Sequence, residues 1–208
     1  MYLNGLCFIT DRRICDLTAQ ETAHIVLRAG IKWIQYREKD KSRREIYHES
    51  IRLKNLAEKF NAVFIVNDHP DIALAVNADG VHLGQDDLPL KEARKILGKE
   101  KIIGVSTHSI EQAIEAERGG ASYIGFGPIF LTETKDAGEP KGIQMLREIK
   151  RLITIPVVAI GGINIENIKP TLDSGADAVA VASAILKGDI SENIKRFLDM
   201  LYKRNRIA

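Results

Sequence analysis

Five consecutive residues, Gln35-Tyr36-Arg37-Glu38-Lys39, run out of a short apolar segment and carry an amide, two cations and an acid. The two-residue period of an extended chain sends Gln35, Arg37 and Lys39 to one side and Tyr36 and Glu38 to the other. Arg offers a planar fork of donors and Lys a compact point charge, so the trio reads as a clamp for an anion. The competing reading is an ordinary basic loop, since charged clusters are usually solvated surface. Asn67-Asp68 and Asp86-Asp87 follow the next apolar segments. Hard oxygen donors set across a rim suit magnesium, which keeps part of its water shell and takes further ligands from a substrate phosphate. Asp and Asn equally favour turns and helix starts, and Asp86 or Asp87 ahead of Leu88-Pro89 could simply open a helix.

Gly161-Gly162 ends the segment Val157 to Ile160, where missing side chains let backbone approach a ligand. Ala182-Ser183 follows the last apolar segment and offers amide donors at a helix start. Together they read as a phosphate site; tight packing by Gly and capping by Ser is the plainer alternative. Thr132-Glu133-Thr134-Lys135 adds two hydroxyls and a cation on a loop polar enough to close as a lid, or to be flexible surface only. Ser106 and His108 are placed to touch a substrate, but no neighbour in sequence makes a hydrolytic dyad of them, and a lone His is more often structural.

The elements that must position these residues are legible as eight apolar runs: Leu6 to Thr10, Trp33 to Tyr36, Val63 to Val66, Val81 to Leu83, Ile102 to Val105, Tyr123 to Phe126, Val157 to Ile160 and Ala178 to Val181. Near-continuous apolar character is the mark of parallel strands covered on both faces. Between them lie amphipathic stretches such as Arg43 to Phe60, with Ile46, Ile51, Leu53, Leu56 and Phe60 near one face. Ala29-Gly30, Ala78-Asp79-Gly80, Gly119-Gly120-Ala121 and Gly175-Ala176-Asp177 read as helix stops before the next strand. Pro70 to Asn77 is short for a crossover helix and predicts irregularity there. Strand then helix, eight times at roughly 26 residues per unit, predicts an α/β chain folded as a single (β/α)₈ TIM barrel over residues 1–208, rather than an open doubly wound sheet. In such a barrel the active site is built by loops leaving the strand C-terminal ends, where every polar group above falls.

The chain has 208 residues, 45% of them apolar, enough for one substantial core. Its 30 Lys and Arg stand against 28 Asp and Glu, and a net charge of +2 gives no case for a nucleic-acid or membrane surface. No apolar run approaches the roughly 18 residues of a membrane helix. The start, with Leu6 to Ile9 followed by Asp11-Arg12-Arg13, lacks the layout of a signal peptide, so a cytoplasmic location is expected. Only Cys7 and Cys15 are present, without CxxC spacing, and read as free thiols with Cys7 buried on a strand.

Taken in order, QYREK, VNDHPDIAL, DGVHLGQDD, GVSTHS, YIGFGPIFLTETK, VVAIGGI and GADAVAVASAI resemble the successive motifs of the thiamine-phosphate synthases over nearly the whole chain. The resemblance implies a transferase that joins an aminopyrimidine pyrophosphate to a thiazole phosphate and releases pyrophosphate. It implies that Gln35, Arg37, Lys39 and Asn67 hold the pyrimidine pyrophosphate, that Asp68 and Asp87 hold Mg2+, and that Ser106 and Lys135 complete the pocket. Arg37, Lys39 and Lys135 would act on the leaving pyrophosphate, while Thr132, Thr134, Gly162, Ala182 and Ser183 would take the thiazole phosphate. Leu131 departs from the pattern, standing where Pro is usual in the lid motif.

Three other readings stay in view: a thiazole tautomerase of the same fold family, which keeps a histidine resembling His108; a sugar-phosphate isomerase or epimerase; and a non-catalytic phosphate-binding barrel. The complete clamp and acid pair favour the synthase. Its partners would be small-molecule substrates, with no nucleic acid and no membrane, and a homo-oligomer is left open. Gln35, Arg37, Lys39, Asn67, Asp68, Asp87, Ser106 and Lys135 are expected around one cavity, and Gly162 with Ser183 in a separate monophosphate pocket.

Overall fold

The structure is a computed structural model that describes residues 5–132 and 138–205. Eight parallel strands close a barrel in sequence order: β1 (Gly5–Ile9), β2 (Trp33–Tyr36), β3 (Val63–Asn67), β4 (Gly80–Leu83), β5 (Ile102–Thr107), β6 (Tyr123–Phe126), β7 (Val157–Ile160) and β8 (Ala178–Val181). The helices around it are α1 (Ala19–Arg28), α2 (Arg43–Lys59), α3 (Pro70–Ala75), α4 (Leu90–Leu97), α5 (Ile110–Arg118), α6 (Gly142–Leu152), α7 (Ile168–Asp173), α8 (Ser183–Leu186) and α9 (Ile190–Asn205). The predicted (β/α)₈ barrel is the observed fold.

Strand alternation divides the core in two. Leu6, Phe8, Ile34, Phe64, Val66, Ile124 and Val179 face the helices, whereas Cys7, Ile9, Trp33, Ile65, Tyr123, Val158, Ala178 and Ala180 fill the barrel. Two bulky rings fit inside because small residues stand opposite. A Cβ on Gly104 would fall 2.1 Å from the Tyr123 ring, and one on Gly125 would fall 3.0 Å from the ring of His82. Tyr123 meets Trp33 edge-on at 5.3 Å. Cys7 lies in this interior as a free thiol, its pKa pushed up by burial, while Cys15 is half-buried.

Capping boxes start the long helices: Thr18 with Glu21 for α1, and Ser42 with Glu45 for α2. Gly30, Gly120 and Gly175 follow their helices with positive φ, as stop signals should. The fourth break works differently. There the left-handed residue is Asn77, at φ 52, and Gly80 belongs to β4, where a Cβ would strike the Ile102 carbonyl. The short Pro70 segment does form one compact helix, opened by Pro at its first turn. At the foot of the barrel, Asp79 accepts the Phe64 N–H at 2.8 Å and pairs with Lys54, and Asp177 accepts the Val157 N–H at 2.7 Å and pairs with Lys150.

Three strand C-terminal ends differ from expectation, and two of the differences matter for chemistry. β1 stops at Ile9, leaving Thr10 outside. β3 continues to Asn67 and β5 to Thr107, because Asn67 pairs with His82 and Ser106 with Gly125. Asn67 and Ser106 are therefore strand residues, aimed by the pleat rather than by a loop. Among the described residues, no helix is long and apolar enough to cross a membrane.

Candidate active site

Adjacent strands β2 and β3 bring the first polar groups together. Gln35 is buried, and its Nε2 donates to Asn67 Oδ1 at 3.0 Å across the β2–β3 pair. One residue past the end of β2, Arg37 donates from Nη1 to Asp11 Oδ2 at 3.1 Å. Lys39 donates from Nζ to Asp68 Oδ2 at 2.5 Å. Tyr36 and Glu38 face away: Tyr36 donates to Glu49, and Glu38 accepts the backbone N–H groups of Lys39 and Asp40. Gln35 and Arg37 thus share one hollow, whereas past the end of β2 Lys39 lines a neighbouring depression with Glu38, the brace of this turn.

Asp68 adopts φ 66, a left-handed conformation uncommon outside Gly, and its turn is closed by His69 N–H to Asn67 O at 2.9 Å. That turn swings its carboxyl off β3 toward Asp87. Asp87 is no helix cap, since Pro89 precedes α4 as its cap; its Oδ2 accepts the Gly84 N–H at 2.6 Å. Asp86 is exposed. The two carboxyls lie close enough to shift one another's pKa. Burial acts to raise the pKa of Asp68, but the hydrogen bonds from Asp87 and Lys39 and the Lys39 charge hold it below the ordinary value. Asp87 is raised by burial and by Asp68, against the Gly84 N–H. The repulsion between two such carboxyls is what a bound cation would remove. Among the described residues no three or more His, Cys, Asp or Glu form a metal-sized cluster. A carboxylate pair open to substrate phosphate is nonetheless a donor set suited to magnesium.

On the strand next to β4, β5 offers Ser106. Its Oγ lies 2.9 Å from His82 Nε2, and His82 Nδ1 lies 2.9 Å from the buried Tyr123 hydroxyl. Sequence reasoning passed over His82 and Tyr123, and also Asp11, which entered it only as a charge near the N-terminus. The available signals were inward strand positions for His82 and Tyr123, glycines facing them on neighbouring strands, and the placement of Asp11 just past the first strand. His108 lines the cavity with its Nδ1 hydrogen-bonded to the Gly127 carbonyl at 2.6 Å.

The ends of β7 and β8 close the far side. Gly162 and Ser183, expected in a separate monophosphate pocket, line one cavity with Ala182, Thr132, Ser106 and Arg37 among the described residues. Gly162 has φ 66, and a Cβ there would meet the Leu131 carbonyl oxygen at 2.5 Å and Phe130 Cβ at 2.8 Å. Its missing side chain thus admits the segment carrying Thr132, in addition to leaving backbone open to a ligand. Phe130 N–H to Gly161 O and Ile129 N–H to Ile160 O bind that segment to the end of β7.

Gln35, Arg37, Asn67 and Ser106 line the inner part of the mouth. Lys39, Asp68 and Asp87 line an adjoining depression, displaced from the others by the turn at Asp68. Seven of the eight residues expected around one cavity therefore divide between two neighbouring hollows at the strand C-terminal face. Lys135, with Glu133 and Thr134, lies outside the described residues.

A family model described as thiamine monophosphate synthase matches residues 6–185. The chain belongs to this family. A thiamine-phosphate synthase of Clostridium acetobutylicum is 42% identical over 96% of this chain and 95% of its own length. One of Methanosarcina barkeri is 48% identical over 96% of this chain and 91% of its own. The solved structure of a thiamine phosphate pyrophosphorylase from Pyrococcus furiosus superposes with a TM-score of 0.88 at 38% identity, covering 96% of both chains. This member of the thiamine monophosphate synthase family carries Gln35, Arg37, Lys39, Asp68, Asp87 and Gly162 at the strand C-terminal face.

Proposed function

We propose that this chain is a thiamine-phosphate synthase, joining an aminopyrimidine pyrophosphate to a thiazole phosphate. The observation that carries the reading is continuity: Arg37 and Ser106 line both the amide-bearing inner hollow and the cavity reaching Gly162 and Ser183. Two phosphorylated rings held from opposite ends would therefore meet between them. Gln35 uses its N–H group on Asn67, which leaves an amide oxygen of Gln35 and an N–H of Asn67 to recognise an aminopyrimidine edge.

In the reaction the thiazole nitrogen forms a bond to the pyrimidine methylene carbon as the bond from that carbon to the pyrophosphate oxygen breaks. The electron-rich aminopyrimidine supports positive charge at the carbon, so leaving-group stabilisation dominates. Arg37 and Lys39 are fixed donors beside the departing group, and fixed charge gains strength where water is excluded. Lys135 belongs with them by family resemblance, and Thr132 and Thr134 with the thiazole phosphate. Mg2+ would be held by Asp68 and Asp87 and would neutralise charge growing on the pyrophosphate. Ser106, oriented by His82, contributes a hydroxyl to the pyrimidine side. No general base is needed, because a neutral ring nitrogen attacks directly.

Free Cys7 and Cys15 fit a reducing compartment, in agreement with a cytosolic enzyme. Incubating the protein with both substrates and magnesium, and measuring thiamine phosphate and pyrophosphate in equal amounts, tests the reading. Isomerisation of the thiazole phosphate without joining would instead mark a tautomerase.

A further inference from the structure

Asp11 is buried, yet it lines the cavity shared by Arg37, Ser106 and Gly162, and the chemistry above makes no use of it. It stands two residues past Ile9, the register partner of Gln35, and so comes level with Arg37. Asp11 Oδ2 accepts Arg37 Nη1 at 3.1 Å and Arg13 Nη2 at 2.7 Å, while Oδ1 accepts Arg13 Nε at 2.9 Å and the Arg13 backbone N–H at 3.1 Å. The neighbouring Thr10 hydroxyl accepts the Arg37 N–H at 3.0 Å and donates to the Arg37 carbonyl at 3.3 Å. Main chain and guanidinium of Arg37 are thus both fixed from the end of β1. With side-chain exposures of 3% for Asp11 and 16% for Arg37, little water screens the pair.

We propose that Asp11 is a positioning residue that holds the Arg37 guanidinium at the cavity edge, ready to receive the diphosphate group. The inference rests on the synthase reading for the identity of that ligand. A free Arg side chain samples many rotamers and loses that freedom on binding, whereas a fork already held loses little. The Arg13 side chain closes on the outer edge of Asp11, while the Arg13 backbone N–H, which Arg13→Met retains, holds Oδ1.

Titration of inorganic pyrophosphate at fixed magnesium tests this in the parent, Asp11→Asn, Arg37→Met, the double variant and Arg13→Met, with thermal unfolding of each. Asp11→Asn should weaken pyrophosphate binding on the order of 10-fold or more, because an amide cannot serve two guanidinium groups as a carboxylate does. The double variant should bind no more weakly than Arg37→Met alone, and Arg13→Met should stay within about threefold of the parent. Asp11→Glu, which restores the charge, should recover part of the loss. Additive losses in the double variant, or an Asp11→Asn protein binding like the parent, would overturn the inference. So would Arg13→Met reproducing the Asp11→Asn loss. If Asp11→Asn does not fold, proton exchange at the Arg37 guanidinium in the parent decides: slow exchange before pyrophosphate is added supports positioning, and fast exchange refutes it. A parent that binds pyrophosphate but forms no thiamine phosphate fails the synthase reading while leaving the Asp11 coupling measurable.

Discussion

His82 Nε2 lies 2.9 Å from Ser106 Oγ, and the same ring is held from behind by the Tyr123 hydroxyl. The histidine fills space that Gly125 leaves on the next strand, so its orientation comes from packing as well as hydrogen bonding. Tyr123→Phe keeps the ring but removes the hydroxyl hydrogen-bonded to His82 Nδ1, which should cost about 1–3 kcal/mol of stability. His82→Asn should lower turnover on the order of 10-fold through Ser106, with a smaller change in thiazole phosphate KM. Chemical denaturation and steady-state kinetics check both; unchanged turnover in His82→Asn would detach Ser106 from this chain of bonds.

Gly162→Ala should act through the segment it admits. A left-handed alanine and a Cβ pressed on the Leu131 carbonyl should together destabilise the protein by about 1–3 kcal/mol. Displacing Phe130 and Leu131 should also raise the thiazole phosphate KM while leaving pyrophosphate binding near the parent value. Equal KM values in parent and variant would show that the packing at Gly162 does not shape this end of the site.

Acid should weaken the fold at Asp11. Burial acts to raise its pKa, but the Arg13 hydrogen bonds and the Arg13 and Arg37 charges outweigh burial and hold it below the ordinary value of 3.8. A carboxyl depressed on folding contributes stability that is fully present above its unfolded pKa and is lost as pH falls through the folded one. The stability gap between parent and Asp11→Asn, measured by urea unfolding, should therefore be constant at neutral pH and shrink below about pH 4. A gap independent of pH across that window would contradict the assignment.

Much of this was legible in the sequence because barrel strands are short apolar runs and catalytic loops follow them in order. Gln35 and Arg37 could be placed on one side from strand period alone. Asp11, His82 and Tyr123 could not be singled out, because their partners lie on other strands and only register brings them level. The division of Lys39, Asp68 and Asp87 from the inner residues was hidden for a different reason. It depends on the left-handed turn at Asp68, a backbone state that an Asp codes for only weakly. Gly162 was legible as a site for close approach, but not as the seat of Phe130 and Leu131.

Asp87→Asn separates a metal role from a turn role. Asn keeps the size and can still accept the Gly84 N–H, so the fold should remain near parent stability. Losing the negative charge beside Asp68 should lower turnover on the order of 10- to 100-fold and raise the magnesium needed for half-maximal rate. Thiazole phosphate binding should stay unchanged. Magnesium titration of both proteins reads the effect; identical curves would remove Asp87 from the metal site.

The most direct measurement is product formation by the purified protein with aminopyrimidine pyrophosphate, thiazole phosphate and magnesium, followed as thiamine phosphate and pyrophosphate together. The account predicts one pyrophosphate released for each thiamine phosphate formed, loss of both on chelation of the metal, and loss of both in Arg37→Met. Pyrophosphate release without thiamine phosphate, or a joined product that forms equally well in Arg37→Met, would contradict it.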